Sequence, residues 1–249
     1  MDTKQRYFLE LSYNGTAYHG WQIQQNAISI QELINKALST ICRQEIETLG
    51  CGRTDTGVHA RQLFAHTDIP ADIDVMNPRF LLSINSMLPY DIAIKRFIKV
   101  APDAHARFDA SLRSYEYHIH FSKDPFLHNL SWLLRDEPDL GLMNKAAKLM
   151  MEYRDFSCFS KSNTQTFTNN CVISRAEWLL TDKGIAFHIS ADRFLRNMVR
   201  AIVGTLVRIG KGEMNVEDIH GIIESKDRSN AGESVPACGL FLTEVKYPY

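Results

Sequence analysis

Gly52-Arg53-Thr54-Asp55-Thr56-Gly57-Val58-His59-Ala60 is a run that no hydrophobic core can absorb. It sets one carboxylate, Asp55, between two glycines and two residues after an arginine. Glycines allow a tight turn with positive φ and close approach of a ligand. The arginine can hold the carboxylate ionised. An Asp in a glycine-flanked turn often does no more than bond its own backbone. A charged loop presented on a rigid scaffold, in contrast, is where function concentrates. The flanking sequence has to decide between these readings. On either side, Glu47 to the Gly52 loop and Leu63 to Thr67 read as short strands, so the loop is the turn between two strands.

Working outward from that turn, Tyr7 to Tyr13 reads as a strand ending at the Asn14-Gly15 turn signal. Ser29-x-x-Glu32 is a capping box. Ile30, Leu33, Ile34, Ala37, Leu38 and Ile41 then keep helical spacing with one apolar stripe. Asn77-Pro78 opens a second helix reaching about Met87. Ile92 to Val100 is a further strand. The order strand, helix, strand, strand, helix, strand is that of a ferredoxin-like unit.

A second half begins near Pro102. Arg113 to Phe121 alternates, with Tyr115, Tyr117, Ile119 and Phe121 on one face and Ser114, Glu116, His118 and His120 on the other. A helix follows around Met143 to Tyr153, then a hairpin through Thr181-Asp182-Lys183-Gly184 with Ile185, Phe187 and Ile189 alternating. A long helix is expected from Arg193 to Ile209, burying Phe194, Met198, Ala201, Ile202, Leu206 and Ile209. Asn215 caps a shorter helix, and Leu240 to Tyr247 closes as a strand. The two halves share an element order without a residue-level repeat. The expected fold is α+β, two lobes at 1–104 and 105–249 whose sheets join around a cleft.

The 249 residues are 45% hydrophobic and 23% charged, ordinary for a globular protein with a substantial core. No stretch reaches the apolar length of a membrane span, and Met-Asp-Thr-Lys-Gln-Arg is not followed by an apolar leader. Five scattered cysteines, none in a C-x-x-C pair, fit reduced thiols in the cytoplasm. The net charge of −1 gives no global attraction to nucleic acid, so any phosphate site must come from local clustering. Arg53, Arg61, Arg107, Arg113, Arg193, Arg196 and Arg200 supply such clusters, while acid gathers at Asp136-Glu137-Pro138-Asp139 and from Glu213 to Asp218.

Asp55 is the strongest nucleophile or base. Tyr115 reads either as a core aromatic, the commoner fate of a strand tyrosine, or as a stacking platform for an extruded base. Arg193, Arg196 and Arg200 stand three and four apart and would form one row on the long helix. A partly buried Arg200 would seek a carboxylate or phosphate. His118 and His120 share a strand face, but no third metal ligand is evident. No phosphate-cradling glycine loop, dinucleotide fingerprint or Ser or Cys triad signature is present.

At these residues the chain resembles the tRNA pseudouridine synthase A family. Gly-Arg-Thr-Asp-x-Gly-Val-His-Ala resembles its catalytic loop. Tyr13 to Gln22, Ser29 to Leu38, His105-Ala106-Arg107-Phe108, Arg113 to Tyr117, Phe194 to Gly204 and Pro236 to Leu240 resemble further family motifs, in family order along nearly the whole chain. Asn14 and Thr56 depart from the Asp and Ala usual there. The resemblance implies the pseudouridine synthase fold, two ferredoxin-like (RRM-like) lobes with a largely antiparallel sheet and a central cleft. It implies isomerisation of uridine to pseudouridine in the anticodon stem-loop of tRNA, at positions 38–40, by a cytoplasmic homodimer without cofactor or metal. It makes Asp55, Tyr115 and Arg200 catalytic. The expected substrate contacts are Arg53, Arg107, Tyr115, Arg193 and Leu240. A non-catalytic RNA-binding module of RRM-like lobes is the main alternative reading, and a metal-dependent hydrolase using His118 and His120 the third.

Overall fold

The computed structural model describes residues 4–161 and 168–249. Residues 1–3, on which part of the leader reading falls, lie outside the described residues. The chain divides into two compact units, Met1–Ser111 with Leu242–Tyr249, and Leu112–Phe241. Among the described residues there are nine strands and five α-helices.

In the first unit, β1 (Lys4–Tyr13), α1 (Ile30–Cys42), β2 (Leu49–Gly50), β3 (His59–Pro70), α2 (Pro78–Met87) and β4 (Ile92–Lys99) follow one another. The strands pair antiparallel in the order β4-β1-β3-β2, the ferredoxin-like arrangement read from the sequence. Ser29 caps α1, its hydroxyl accepting the Glu32 N–H at 3.3 Å. Ile30, Ile34, Ala37 and Leu38 are buried, as are Leu9, Leu11 and Leu63 of the strands. Asn77 caps α2 with Pro78 at its first position, and both helix bounds fall where the sequence placed them.

The edge strand β4 is closed by a side chain. Asn85 of α2 accepts the Ile94 N–H and donates to the Ile94 carbonyl, both at 2.8 Å. A primary amide carries N–H donors and a carbonyl acceptor side by side, so it can replace a missing strand partner.

In the second unit, β5 (Leu112–His120), β6 (Trp132–Leu133), α3 (Leu140–Met150), β7 (Ile173–Thr181), β8 (Gly184–Ala191), α4 (Met198–Gly210) and α5 (Asp218–Ser225) lead into β9 (Leu240–Lys246), whose residues are shared between the units. The strands β5, β8 and β7 pair antiparallel in that order, with β6 parallel to β5. Asn144 of α3 closes the edge strand β7 as Asn85 closes β4, bonding the Trp178 N–H at 2.8 Å and carbonyl at 3.1 Å. Tyr117, Phe156, Phe159, Trp178 and Phe187 fill the core around α4, which is buried on nearly every face.

Several expectations are corrected here. The long helix starts at Met198, not at Arg193. Asn197 adopts the left-handed conformation at φ 66° and the preceding residues are irregular. Arg193 and Arg196 therefore do not share a helical row with Arg200, and Leu195 is buried where Phe194 was expected to be. The third helix begins earlier than Met143, because Asp139 from the acidic run caps it through the Leu142 N–H at 2.9 Å. Ahead of α5 the capping runs in reverse: the Asp218 carboxylate accepts the Asn215 N–H at 2.8 Å. The alternation of β5 fails at His120, which is buried beside Ile119.

Candidate active site

The Asp55 loop belongs to the first unit, and its shape is imposed from a distance. A four-residue turn closes where the Val58 N–H donates to the Asp55 carbonyl at 3.1 Å. Gly57 occupies its third position at φ 78°, a conformation that favours glycine. Gly52 takes no positive φ and nothing approaches its Cβ position, so of the two glycines only Gly57 is required by the backbone.

Residues 13–21 form the frame around this turn. The Tyr13 hydroxyl bonds the Thr54 hydroxyl at 2.8 Å in a buried contact. The Gly57 N–H donates to the Tyr18 carbonyl, and the Trp21 N–H to the Thr54 carbonyl, both at 3.3 Å. A Cβ on Gly15 would lie 2.0 Å from the Val58 carbonyl oxygen, and one on Gly20, at φ 85°, would lie 2.2 Å from that of Thr54. Both glycines thus exist to let two backbones touch. Trp21, 1% exposed, packs over Gly50, where a Cβ would lie 2.5 Å from its indole nitrogen. The Tyr18 hydroxyl donates to Asp91 at 2.5 Å, and burial followed by that carboxylate raises its pKa well above the ordinary tyrosine value.

His59 is buried, and its Nδ1 accepts the Gly15 N–H at 3.0 Å, so it shapes the loop. Asn14 keeps the acceptor that Asp would supply: its Oδ1 takes the Thr16 N–H at 3.1 Å and hydroxyl at 2.6 Å. Thr56 points to solvent. Within this frame Asp55 is half-buried and Arg53 exposed.

Arg107, the other substrate residue expected in this unit, lies elsewhere. It is exposed on a turn packed against His66, far along β3 from the loop.

The second unit carries the remaining expected residues. Tyr115 on β5 sits opposite Ile189 of β8, half-buried, with its ring edge-on to Phe194 at 5.1 Å. The core tyrosine of this strand is instead Tyr117, whose hydroxyl donates to the Pro236 carbonyl at 2.8 Å and whose pKa burial drives up. A Cβ on Gly239 would lie 2.7 Å from the His118 carbonyl oxygen and 2.8 Å from the Tyr117 ring. This contact seats the segment ending at Leu240, which is buried.

Arg200, in the first turn of α4, donates from Nε to the Val235 carbonyl at 2.7 Å, while the Val235 N–H returns a bond to the Arg200 carbonyl at 3.3 Å. One edge of the guanidinium is thereby fixed, which orients the whole planar fork. Arg193 stands on a loop tied down by Asp192, whose Oδ1 accepts the Val172 and Arg193 N–H groups at 2.7 Å. The Asp192 carbonyl accepts Arg113 at 2.8 Å. Tyr115, Phe194 and Arg193 are thus gathered at one end of β5.

The His118–His120 pair does not form a ligand set. His118 Nε2 bonds Glu116 at 3.1 Å, His188 faces the same carboxylate at 3.6 Å, and His120 is buried. Among the described residues no group of three or more His, Cys, Asp or Glu side chains is placed to hold a metal ion. From the sequence, Tyr13 to Gln22 reads only as a family motif, Phe194 as a buried helix residue and Tyr117 as one of two tyrosines on a strand face, with no part in the site for any of them. The spacing of Gly15, Gly20 and Trp21 was the available signal, yet its partners lie roughly thirty to forty residues further on.

A family model described as tRNA pseudouridine synthase matches residues 146–248. Relatives called tRNA pseudouridine synthase A cover almost the whole chain. That of Porphyromonas gingivalis is 49% identical over 98% of this chain and 97% of its own length. That of Bacteroides fragilis is 48% identical over the same shares, and that of Ruminiclostridium cellulolyticum 38% identical over 96% and 98%. The chain belongs to the tRNA pseudouridine synthase A family.

Proposed function

We propose that this protein isomerises uridine to pseudouridine in tRNA, with Asp55 as the reacting carboxylate and positions 38–40 of the anticodon stem-loop as its targets. The observation that carries the assignment of Asp55 is the frame of residues 13–21, which fixes Thr54 and Val58 on either side of one half-buried carboxylate. A loop that only had to turn would not need two glycines elsewhere in the chain to admit it.

The reaction breaks the N1–C1′ bond, turns the uracil and joins C5 to C1′. The C5 hydrogen leaves as a proton and N1 gains one, so no electrons or atoms enter from outside. Asp55 opens the reaction by attack on C1′, by attack on C6, or by taking the C2′ proton; these routes share the same product. By resemblance to the family, Arg200, its fork set by Val235, is the arginine assigned to the catalytic aspartate. The uridine leaves its stack at a cost of a few kcal/mol. Stacking on Tyr115, steadied by Phe194, returns about 1–3 kcal/mol of that. Arg53 and Arg193 take phosphates, and Leu240 lines the base pocket.

The working unit is a cytoplasmic homodimer with tRNA lying across both subunits. Five cysteines without a disulfide support a reducing compartment. Among the described residues no helix is long and apolar enough to cross a membrane. Pairing two near-neutral chains would assemble a larger basic surface than either presents.

The test is tritium release from tRNA labelled at uridine C5, in the presence of a chelator. Release with pseudouridine at positions 38–40 is expected. A folded protein that binds tRNA and releases no tritium would favour the binding-module reading.

A further inference from the structure

Phe108 is a phenylalanine held out in water on a rigid mount. It is 74% exposed. Its ring stacks on that of His105 with centroids 4.2 Å apart and planes 28° apart, and the Arg107 guanidinium carbon lies 5.7 Å from its centroid.

The mount is built from redundant bonds. His105 Nδ1 accepts the N–H groups of Arg107 and Phe108 at 3.2 Å. Asp109 accepts the His105 N–H at 2.7 Å and the Tyr249 hydroxyl at 2.9 Å. Tyr247 donates to the Ala106 carbonyl at 2.7 Å, and the Ala106 N–H donates to His66 on β3 at 3.1 Å. These bonds fix the backbone of the turn, and the stack on His105 holds the ring itself.

We infer that Phe108 is a second stacking platform on the tRNA-binding surface, taking an unpaired nucleobase of the RNA while Arg107 meets the adjoining phosphate. The inference rests on the proposal that tRNA is the substrate. The chemistry favours a base over an apolar protein partner. Arg107 is exposed and its guanidinium lies over the exposed ring, so a base reaching Phe108 arrives beside a cation. That is the pairing single-stranded RNA uses, a stacked base and a neutralised phosphate.

Position separates this contact from the reacting uridine. The mount packs against His66, seven residues along β3 from the His59 end that carries the Asp55 loop. At about 3.3 Å per residue that is roughly 23 Å. The platform therefore grips a different part of the same RNA and acts on binding, leaving the chemical step alone.

The test uses the full-length protein with unmodified tRNA. Phe108→Ala should raise the Kd for tRNA about five- to a hundred-fold, the loss of one stacked base. Single-turnover rates at saturating protein should stay within twofold of wild type. Phe108→Trp should restore binding, and its added indole fluorescence should be quenched on mixing with tRNA. Binding within twofold of wild type in Phe108→Ala, or an unquenched Phe108→Trp signal, would overturn the inference. So would a shift in sedimentation with RNA affinity unchanged, which would make the ring a contact between copies. If wild type binds tRNA but releases no tritium, the catalytic proposal fails while the binding series still decides this one.

Discussion

Gly20→Ala probes the frame that shapes the Asp55 loop. Two costs are set by the structure. Gly20 sits at φ 85°, where a side chain costs about 1–2 kcal/mol. Its new Cβ would lie 2.2 Å from the Thr54 carbonyl oxygen, which must retreat by about 1.2 Å to reach the 3.4 Å of ordinary contact. That carbonyl accepts the Trp21 N–H, so the retreat also gives up about 1 kcal/mol of hydrogen bonding. The sum is roughly 2–3 kcal/mol, which for a chain of this size lowers Tm by about 4–12 °C. Thr54 directly precedes Asp55, so the carboxylate moves with it. A displacement near 1 Å costs about a hundredfold in rate. Calorimetry and single-turnover tritium release measure the two effects. Gly52→Ala is the matched control: nothing lies within 4 Å of its added Cβ, so stability and rate should barely change. A Gly20→Ala protein with wild-type Tm and rate would refute the role given to residues 13–21.

Three further outcomes are expected. Tyr117→Phe removes the hydroxyl that the Pro236 carbonyl accepts from, a part-buried bond, and should cost about 0.5–1.5 kcal/mol in denaturant unfolding. Asn144→Ala strips both bonds from the Trp178 backbone and should cost about 2–3 kcal/mol, with faster hydrogen exchange along β7. Burial, with His105 and Arg6 nearby, lowers the His66 pKa from 6.5 to about 4. The unfolded chain therefore binds this proton first: stability is full above pH 6.5 and falls by up to about 3 kcal/mol as pH drops toward 4. Unfolding of wild type and His66→Gln at pH 7.5 and 4.5 checks this, the variant showing the smaller loss.

Much of the first unit was legible because its signals are local. Ser29 and Asn77 each declare a helix start by a side chain bonding the next turn, and both helices begin where these residues say. The Asp55 loop was legible by composition alone. What escaped was non-local. Gly15 and Gly20 make sense only against Val58 and Thr54, and no periodicity joins them. The start of α4 was misread because Phe194 and Leu195 continue the apolar spacing of the helix beyond them. The break lies in the left-handed backbone of Asn197 and in the hold of Asp192 on Val172 and Arg193. Correcting it places Arg193 on a loop beside Phe194 and leaves Arg200 alone at the head of α4, anchored to Val235. The buried tyrosine of β5 had to be chosen between two on one face, and only packing assigns the core to Tyr117.

The account turns on the Asp55 carboxylate, and Asp55→Asn tests it most directly, since the amide keeps the size and the turn while losing the charge. With C5-tritiated tRNA under single-turnover conditions, the account predicts wild-type Kd for tRNA and no tritium release from the variant. Measurable release from Asp55→Asn, free of wild-type protein and of deamidation back to Asp, would contradict it.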